Sequence, residues 1–439
     1  MKVLLTLLTL LTLGLGTACA AAPAPLEPLP SLISTALTRN PELKSSQARW
    51  QMYLAKARQS GSLDDPMVMF KLQNLLVRDP LSFGGRDPTT AKVIGISQEL
   101  PFWGKRALRQ EVARHEADAY RWSIEERKQE LARLVKEAYY RLYAVDKGLA
   151  IVAKNLKIMH EFTSIAEARY AVGKGTQADI FKAGLESSKL LEQQITLQQQ
   201  RTSLAASLNY LLDRPPTAPV GEVSDFDLPV MRQSPEALLT VAEEQRPQVK
   251  NLDSRISRGI AAHALARRER WPDLTLSLEY MFRQPVNNTM TNDPGYDMFS
   301  VGLTFNLPIH QGRRQAMQAE SSSETTMAAE ELHDLKNRIR YEIRDNLAQM
   351  DRDRRLVTLY RSGIIPQAEQ ALASALIGYQ VGKVDFLTLL DNRVTLFNYE
   401  QGLFTAKAAY MRELATLEAV VGEDLQNRQR PDRAATVVP

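Results

Sequence analysis

Residues Ser300 to Arg314 read SVGLTFNLPIHQGRR. The first half alternates: Val301, Leu303, Phe305 and Leu307 are apolar, while Ser300, Gly302, Thr304 and Asn306 are small or polar. A period of two predicts a strand with one oily face. Pro308 ends it, because proline has no N–H to give to a ladder and is tolerated at the start of a helix. Gly312 is expected to let the backbone redirect, and a long polar, alanine-rich segment then begins. The same grammar occurs earlier. Val93 to Arg106 read VIGISQELPFWGKR, with Pro101 and Gly104 in the corresponding places.

Other echoes keep the same order. Asn40-Pro41-Glu42-Leu43 returns as Arg246-Pro247-Gln248-Val249, and Asp65-Pro66 before a strand returns as Trp271-Pro272-Asp273 before a strand. Tyr170-Ala171-Val172-Gly173-Lys174 returns as Tyr379-Gln380-Val381-Gly382-Lys383. A period of about half the chain is a duplication and not a solenoid. Each half reads helix, strand, loop, strand, long helix, VGK turn, helix. The expected division is a leader over 1–20, an N-terminal linker over 21–30, a first repeat over 31–213, a Pro-rich linker over 214–234, a second repeat over 235–424 and a disordered tail over 425–439.

The remaining strands alternate as well. Leu274, Leu276, Leu278, Tyr280 and Phe282 interleave with Thr275, Ser277, Glu279 and Met281. Val68, Phe70 and Leu72 interleave with Met69, Lys71 and Gln73, and Ile94, Ile96 and Leu100 with Gly95, Ser97 and Glu99. Each run is about 9 to 11 residues, the length a tilted strand needs to cross a bilayer. Two readings stand at this point: soluble hairpins with one face on a core, or membrane strands. In the second, Lys71, Gln73, Glu99, Ser277, Glu279, Thr304 and Asn306 face water inside a barrel. Val68, Phe70, Ile94, Leu276, Leu278, Val301 and Phe305 then face lipid, with Tyr280 and Phe282 at an interface girdle.

From Lys105 to Tyr170 there is no proline and the one glycine is Gly148. At ~1.5 Å per residue this predicts a helix of roughly 100 Å. Leu131, Ala138, Val145, Val152 and Met159 form one seven-residue row, and Val135, Leu142, Leu149 and Leu156 a second. Two interleaved apolar rows make a coiled-coil seam. Ile343, Met350, Val357 and Ile364 repeat it in the second half. Four membrane strands cannot close a barrel, since an open edge in lipid leaves backbone groups unpaired and the smallest barrels have about eight strands. Membrane strands therefore require oligomerisation.

Composition narrows the function. A net charge of +4 over 439 residues, with 24% charged side chains, gives no basic patch for nucleic acid. Lys2, the apolar run from Val3 to Leu15 and the small residues after it read as a secretory signal. Cys19, the single cysteine, leaves two alternatives: the lipidated first residue of a mature lipoprotein, or part of a small-x-small site cleaved before Ala21. His115, His160, His263, His310 and His333 are scattered, none with a second ligand at metal spacing. Met67 and Met69 read as packing. No phosphate loop follows a strand, and no catalytic, cofactor or metal site is expected.

The passages QELPFWGKR and FNLPIHQGRR and the turns ARYAVGKGTQADI and IGYQVGKVDFLTLL, in this duplicated order, resemble the TolC-like outer membrane efflux family over about Leu32 to Gly422. QELPFWGKR is most similar to the branch that serves heavy-metal efflux. The resemblance implies a mainly α fold, a long helical coiled-coil barrel continuous with a transmembrane β-barrel to which each chain of a homotrimer gives four strands. Pro101, Gly104, Pro308 and Gly312 would mark strand-to-helix junctions. The turns at Tyr170, Val172, Gly173, Lys174 and Thr176, and at Tyr379, Val381, Gly382 and Lys383, would meet a periplasmic adaptor (membrane fusion) protein joined to a proton-driven inner-membrane efflux pump. Glycine C-caps with a lysine at a helix end account for the same residues without a partner. Family channels narrow at the tips, sometimes with a carboxylate ring near the second turn, but here only Glu369 precedes that turn, and Glu161 and Glu167 read as solvated charges. The implied function is a passive outer-membrane exit duct, for heavy-metal cations on the branch resemblance. A duct for type I protein secretion and a periplasmic coiled-coil scaffold without a pore are the alternatives.

Overall fold

A computed structural model describes residues 27–75, 89–284 and 295–425. The leader, Cys19, most of the 21–30 linker, the tail beyond 425 and the greater part of both strand-connecting loops lie outside the described residues.

The helices and strands follow the chain in one order given twice. First come α1 (Leu29–Arg39), α2 (Pro41–Ser60), β1 (Met67–Gln73), β2 (Ala91–Leu100), α3 (Lys105–Ala171) and α4 (Gln177–Leu211). Then come α5 (Pro235–Gln245), α6 (Pro247–Arg268), β3 (Leu274–Arg283), β4 (Met298–Phe305) and α7 (Gln311–Leu359). A π turn (Tyr360–Ile364), α8 (Ile365–Gln380) and α9 (Phe386–Val421) complete the second series. The single helix expected before each strand pair is two helices. Asn40-Pro41 and Arg246-Pro247 break it, because a residue before proline is driven out of the helical region. The π turn was not foreseen. Pro366 is the second residue of α8, and its ring would crowd the carbonyl four residues back in a regular helix, so the wider turn accommodates it.

Contacts divide the chain into two compact units, which cut across the sequence halves. One takes residues up to 40, 131–232 and 346–417; the other takes 41–130, 233–345 and 418 onward.

The second of these holds the sheet. It is four-stranded and antiparallel, in the order β1-β2-β3-β4, so β1 and β4 are edges without a strand partner among the described residues. Register decides the faces. Val68 opposes Ile96, Ile96 opposes Leu278 and Leu278 opposes Val301. Residues directly opposite share a face, so the apolar set of all four strands is collected on one side. The other side carries Lys71, Gln73, Ser97, Glu99, Ser277, Glu279, Ser300 and Thr304. β1 and β4 have 7 and 8 residues, shorter than expected. β1 stops where Asn74 takes a positive φ of 55° and its side chain donates to the Thr89 carbonyl at 3.1 Å. In the same unit α6 is tied to α7 by the pairs Arg255–Glu331 and Arg258–Glu324.

The other unit is helical. The Leu131 row of α3 is buried throughout as the seven-residue spacing predicts, and the Val135 row is buried at Val135 and Leu142 but only partly at Leu149 and Leu156; Val135, Leu142 and Val152 are fully inaccessible. Leu32 and Ala36 of α1 pack with Leu131, Val135 and Ala138 of α3 and Leu208 and Leu211 of α4. A second cluster joins four helices: Met159 and Phe162 of α3, Leu190 of α4, Tyr379 of α8 and Leu389 and Phe397 of α9. The Pro-rich linker is pinned to this unit. Asp225 accepts from Tyr143 at 2.5 Å and from Lys407 at 2.6 Å, and Phe226 lies on the Tyr143 ring at 4.5 Å. Leu425, placed in the tail by the sequence reading, is buried.

Candidate functional site

Three places carry the features the sequence singled out: the two helical turns, the strand-to-helix junctions and the sheet faces.

Each turn closes a helix with a glycine in the left-handed region, Gly173 at φ 71° and Gly382 at φ 77°. The Lys174 amide donates to the Arg169 carbonyl at 2.9 Å, and the Lys383 amide donates to the Gly378 carbonyl at 2.8 Å. These are the bonds of a Schellman closure, which satisfies orphan carbonyls and needs the glycine. The next helix is capped at once. Thr176 and Asp179 form a reciprocal capping box at the start of α4. Asp385 accepts from the Thr388 amide at 2.7 Å at the start of α9, and that bond holds its carboxyl below the usual carboxylate range.

The turns are not equivalent. Tyr170, Val172, Lys174, Thr176, Val381 and Lys383 are exposed, but Tyr379 is only 3% exposed. Its sequence echo of Tyr170 therefore misleads: Tyr379 packs on Phe386 with ring centroids 5.5 Å apart and offers no surface. Burial raises its phenol pKa. Over it lies Arg169, with its guanidinium 4.5 Å from the ring centre. Arg169 also donates to the carbonyls of Tyr379 and, at 3.1 Å, Lys174. One cation thus serves the carbonyl-rich ends of two helices, where the helix dipole favours positive charge. The sequence reading missed Arg169. Its signal was available, since the echo sets Arg169 against Gly378, so the first turn has an arginine five residues before its lysine where the second has a glycine. Glu161, Glu167 and Glu369 are exposed.

At the first junction Leu100 ends β2, Pro101 follows and Gly104 takes φ 86° immediately before α3. The second junction differs. Pro308 interrupts after β4, but Gly312 is already the second residue of α7 and has no positive φ, so the expected redirection by glycine holds at Gly104 and not at Gly312. The first junction is built around Lys105, which is 1% exposed. Its ammonium meets Asp273 at 2.9 Å, Glu269 at 3.2 Å and the Trp271 carbonyl at 2.8 Å. Asp273 also accepts from the Phe102 amide at 2.8 Å, and Phe102 stacks on Trp271 at 5.1 Å. The tight bend at Gly104 brings this set together.

On the sheet, the apolar side is open. Phe70 is 79% exposed, and Val68, Phe299, Val301 and Leu303 are also exposed. A monomeric soluble protein rarely leaves so large an apolar face bare. Within the strands the expected lipid-facing and water-facing residues fall on opposite sides of the sheet; Asn306, expected to face water, lies beyond the end of β4, where its side chain accepts from the Asp273 amide at 2.7 Å. Met67 and Met69 lie on the polar side, Met67 well exposed, so they do not pack in a core. No helix among the described residues is long and apolar enough to cross a membrane, and among the same residues no cluster of His, Cys, Asp and Glu could hold a metal.

The profile of the outer membrane efflux protein family matches residues 32–213 and again 238–423. The chain is 27% identical over 391 residues to the pyoverdine export outer membrane protein OpmQ of Pseudomonas putida, covering 84% of this chain and 80% of that one. It is 24% identical over 345 residues to the cobalt-zinc-cadmium resistance protein CzcC of Cupriavidus metallidurans, covering 77% and 78%. Among solved structures it is similar to the outer membrane protein VceC of Vibrio cholerae, with TM-score 0.74 at 19% identity over 90% of this chain and 96% of that one. CusC, studied for its transmembrane channel formation, gives TM-score 0.74 at 17% identity over 90% and 92%. The chain belongs to the outer membrane efflux protein family, and its place is the outer membrane of a Gram-negative bacterium, extending into the periplasm.

Proposed function

We propose that this chain is the passive exit duct of a tripartite export assembly and not an enzyme. Three copies close their sheets into one twelve-stranded barrel, and the exposed turns at Val172–Lys174 and Val381–Lys383 dock on a periplasmic adaptor that links the duct to a proton-driven inner-membrane pump. The observation that carries this reading is the sheet: one face is mainly apolar across all four strands, with Lys92 and Gln98 of β2 as its polar members, and both edges lack a strand partner among the described residues. The apolar face suits lipid, but open edges there leave backbone groups unpaired unless copies join edge to edge. The test is extraction and mass. A closed barrel resists salt and carbonate, needs detergent, and runs as three copies of the mature chain. Release by salt as a monomer would return the scaffold alternative.

Heavy-metal cations are the cargo we assign. Likeness to CzcC supports it, and so do Met67, Met69, Met281 and Met298 on the water-facing side of the sheet, since thioethers suit soft cations. Likeness to OpmQ points instead to pyoverdine. Deleting the gene should sensitise cells to metal salts, with resistance restored by the intact chain; unchanged metal tolerance with lost pyoverdine release would move the assignment to the second cargo.

A further inference from the structure

A cavity of about 460 Å³ opens beside the first junction, lined by Leu63, Leu100, Pro101, Phe102, Trp103, Arg106 and Leu274 among others. That size is within the usual range of ligand sites, about 300 to 1,000 Å³. Its position in the fold gives it meaning. Leu100 and Leu274 are paired across β2 and β3 and lie on the apolar side of the sheet, in line with Ile96 and Leu276. The cavity is therefore continuous with the face that meets lipid, at the end where strands give way to helices. Trp103 stands at its mouth, 82% exposed, with its ring edge-on to Phe102 at 5.7 Å. An indole with an apolar body and one polar N–H is at home at a membrane–water boundary.

The polar side of the cavity is cationic. Arg106 donates through Nε to the Gly61 carbonyl at 3.2 Å, and no protein partner is present for its two terminal nitrogens among the described residues. Arg268 donates to the Trp103 carbonyl at 2.8 Å, which holds a second guanidinium beside the same loop. A guanidinium offers a planar fork that matches a phosphate. An apolar cavity opening onto the lipid face, with an exposed indole and arginine at its rim, has the two-part chemistry of a glycerophospholipid. We infer that this junction binds one phospholipid of the periplasmic leaflet per chain, an acyl chain in the cavity and the phosphate on Arg106.

The inference rests on the apolar sheet face meeting lipid, and the experiment separates the two. The full chain is purified in mild detergent, reconstituted into vesicles of phosphatidylethanolamine and phosphatidylglycerol, and labelled with a phosphatidylglycerol carrying a diazirine in its acyl chain. Peptide mapping should find label on the strands and severalfold more on residues 100–107 and 272–274. Trp103→Leu and Arg106→Gln should each remove the excess at the junction while strand labelling and oligomer mass stay unchanged. Trp103 makes few packing contacts, so its variant keeps the test open should the Arg106 variant fold poorly. Equal labelling of strands and junction would leave the membrane face intact and overturn the site. So would labelled strands with a bare junction, the result expected if a neighbouring copy covers the cavity. Absence of label from the strands as well would remove the membrane reading and the inference together.

Discussion

Burying the ammonium of Lys105 takes a charge out of water, and Asp273, Glu269 and the Trp271 carbonyl offset that cost. Removing one partner of such a set leaves the other buried and unpaired, which typically costs about 3 to 5 kcal/mol. Lys105→Ala should therefore lower the urea midpoint of the purified protein by the equivalent of about 3 kcal/mol or more, whereas Lys174→Ala at an exposed turn should leave it within about 0.5 kcal/mol. The two junction glycines should also part company. Gly104, at φ 86°, sits where an L side chain is strained, and Gly104→Ala should destabilise. Gly312 lies in a helix with nothing within 4 Å of an added Cβ, so Gly312→Ala should be neutral or stabilising by up to about 1 kcal/mol. Both are read by thermal unfolding. Asp225 gives a pH signature. Burial opposes its charge, but hydrogen bonds from Lys407 and Tyr143 outweigh that and hold the carboxyl at about 2, against 3.8 when free. A depressed carboxylate pKa contributes stability above the free value, and the contribution is lost as pH falls from about 4 towards 2. Its side chain is half exposed, so screening reduces the effect to about 1 kcal/mol. Asp225→Asn should flatten that acid limb of the stability profile.

The strands and helices obey different constraints along the same chain. On the sheet, alternation becomes sidedness once the register is set, so neighbouring positions should respond differently to the same charge. Leu278→Arg, on the apolar face, should cost about 2 to 4 kcal/mol if it reaches the bilayer midplane, whereas Glu279→Arg one residue later should be tolerated. Yield of detergent-extracted oligomer measures both. Among the helices, the seven-residue rows of α3 were legible because burial recurs with the helical period, and Val135, Leu142 and Val152 are fully buried as that period requires. The breaks at Pro41 and Pro247 and the π turn before Pro366 were present in the sequence as prolines. Whether a proline ends a helix or is absorbed by a wider turn depends on the packing of the flanking segments, so the letters alone did not distinguish them.

For the assembled duct, the exposed lysines and valines of the two turns are the surfaces that we assign to the adaptor. Lys174→Glu combined with Lys383→Glu should weaken capture of the adaptor by crosslinking from Gly175 and Val384, with oligomers intact; dispersed oligomers in that variant would indicate a folding defect and remove the docking assignment. Arg169 acts on the same turns in another way. It ties the α8 end to the α3 end through the Tyr379 and Lys174 carbonyls, so Arg169→Ala should raise amide exchange over residues 378–390 without moving the exchange of the sheet.

The kind and order of the helices and strands, the seam of α3 and the oily faces of the strands were set by local hydrophobic period, a property that each short stretch carries within itself. Pairings between distant residues were not. Phe102 meets Asp273 across 171 positions and Arg169 meets the Tyr379 carbonyl across 210. β2 finds β3 rather than closing on its own hairpin alone. Such contacts depend on where long helices return the chain, and no window of sequence contains both partners. That is why the duplicated turns looked alike as letters, and why folding separated an exposed Tyr170 from a buried Tyr379 and made Gly104 a bend while Gly312 became part of a helix.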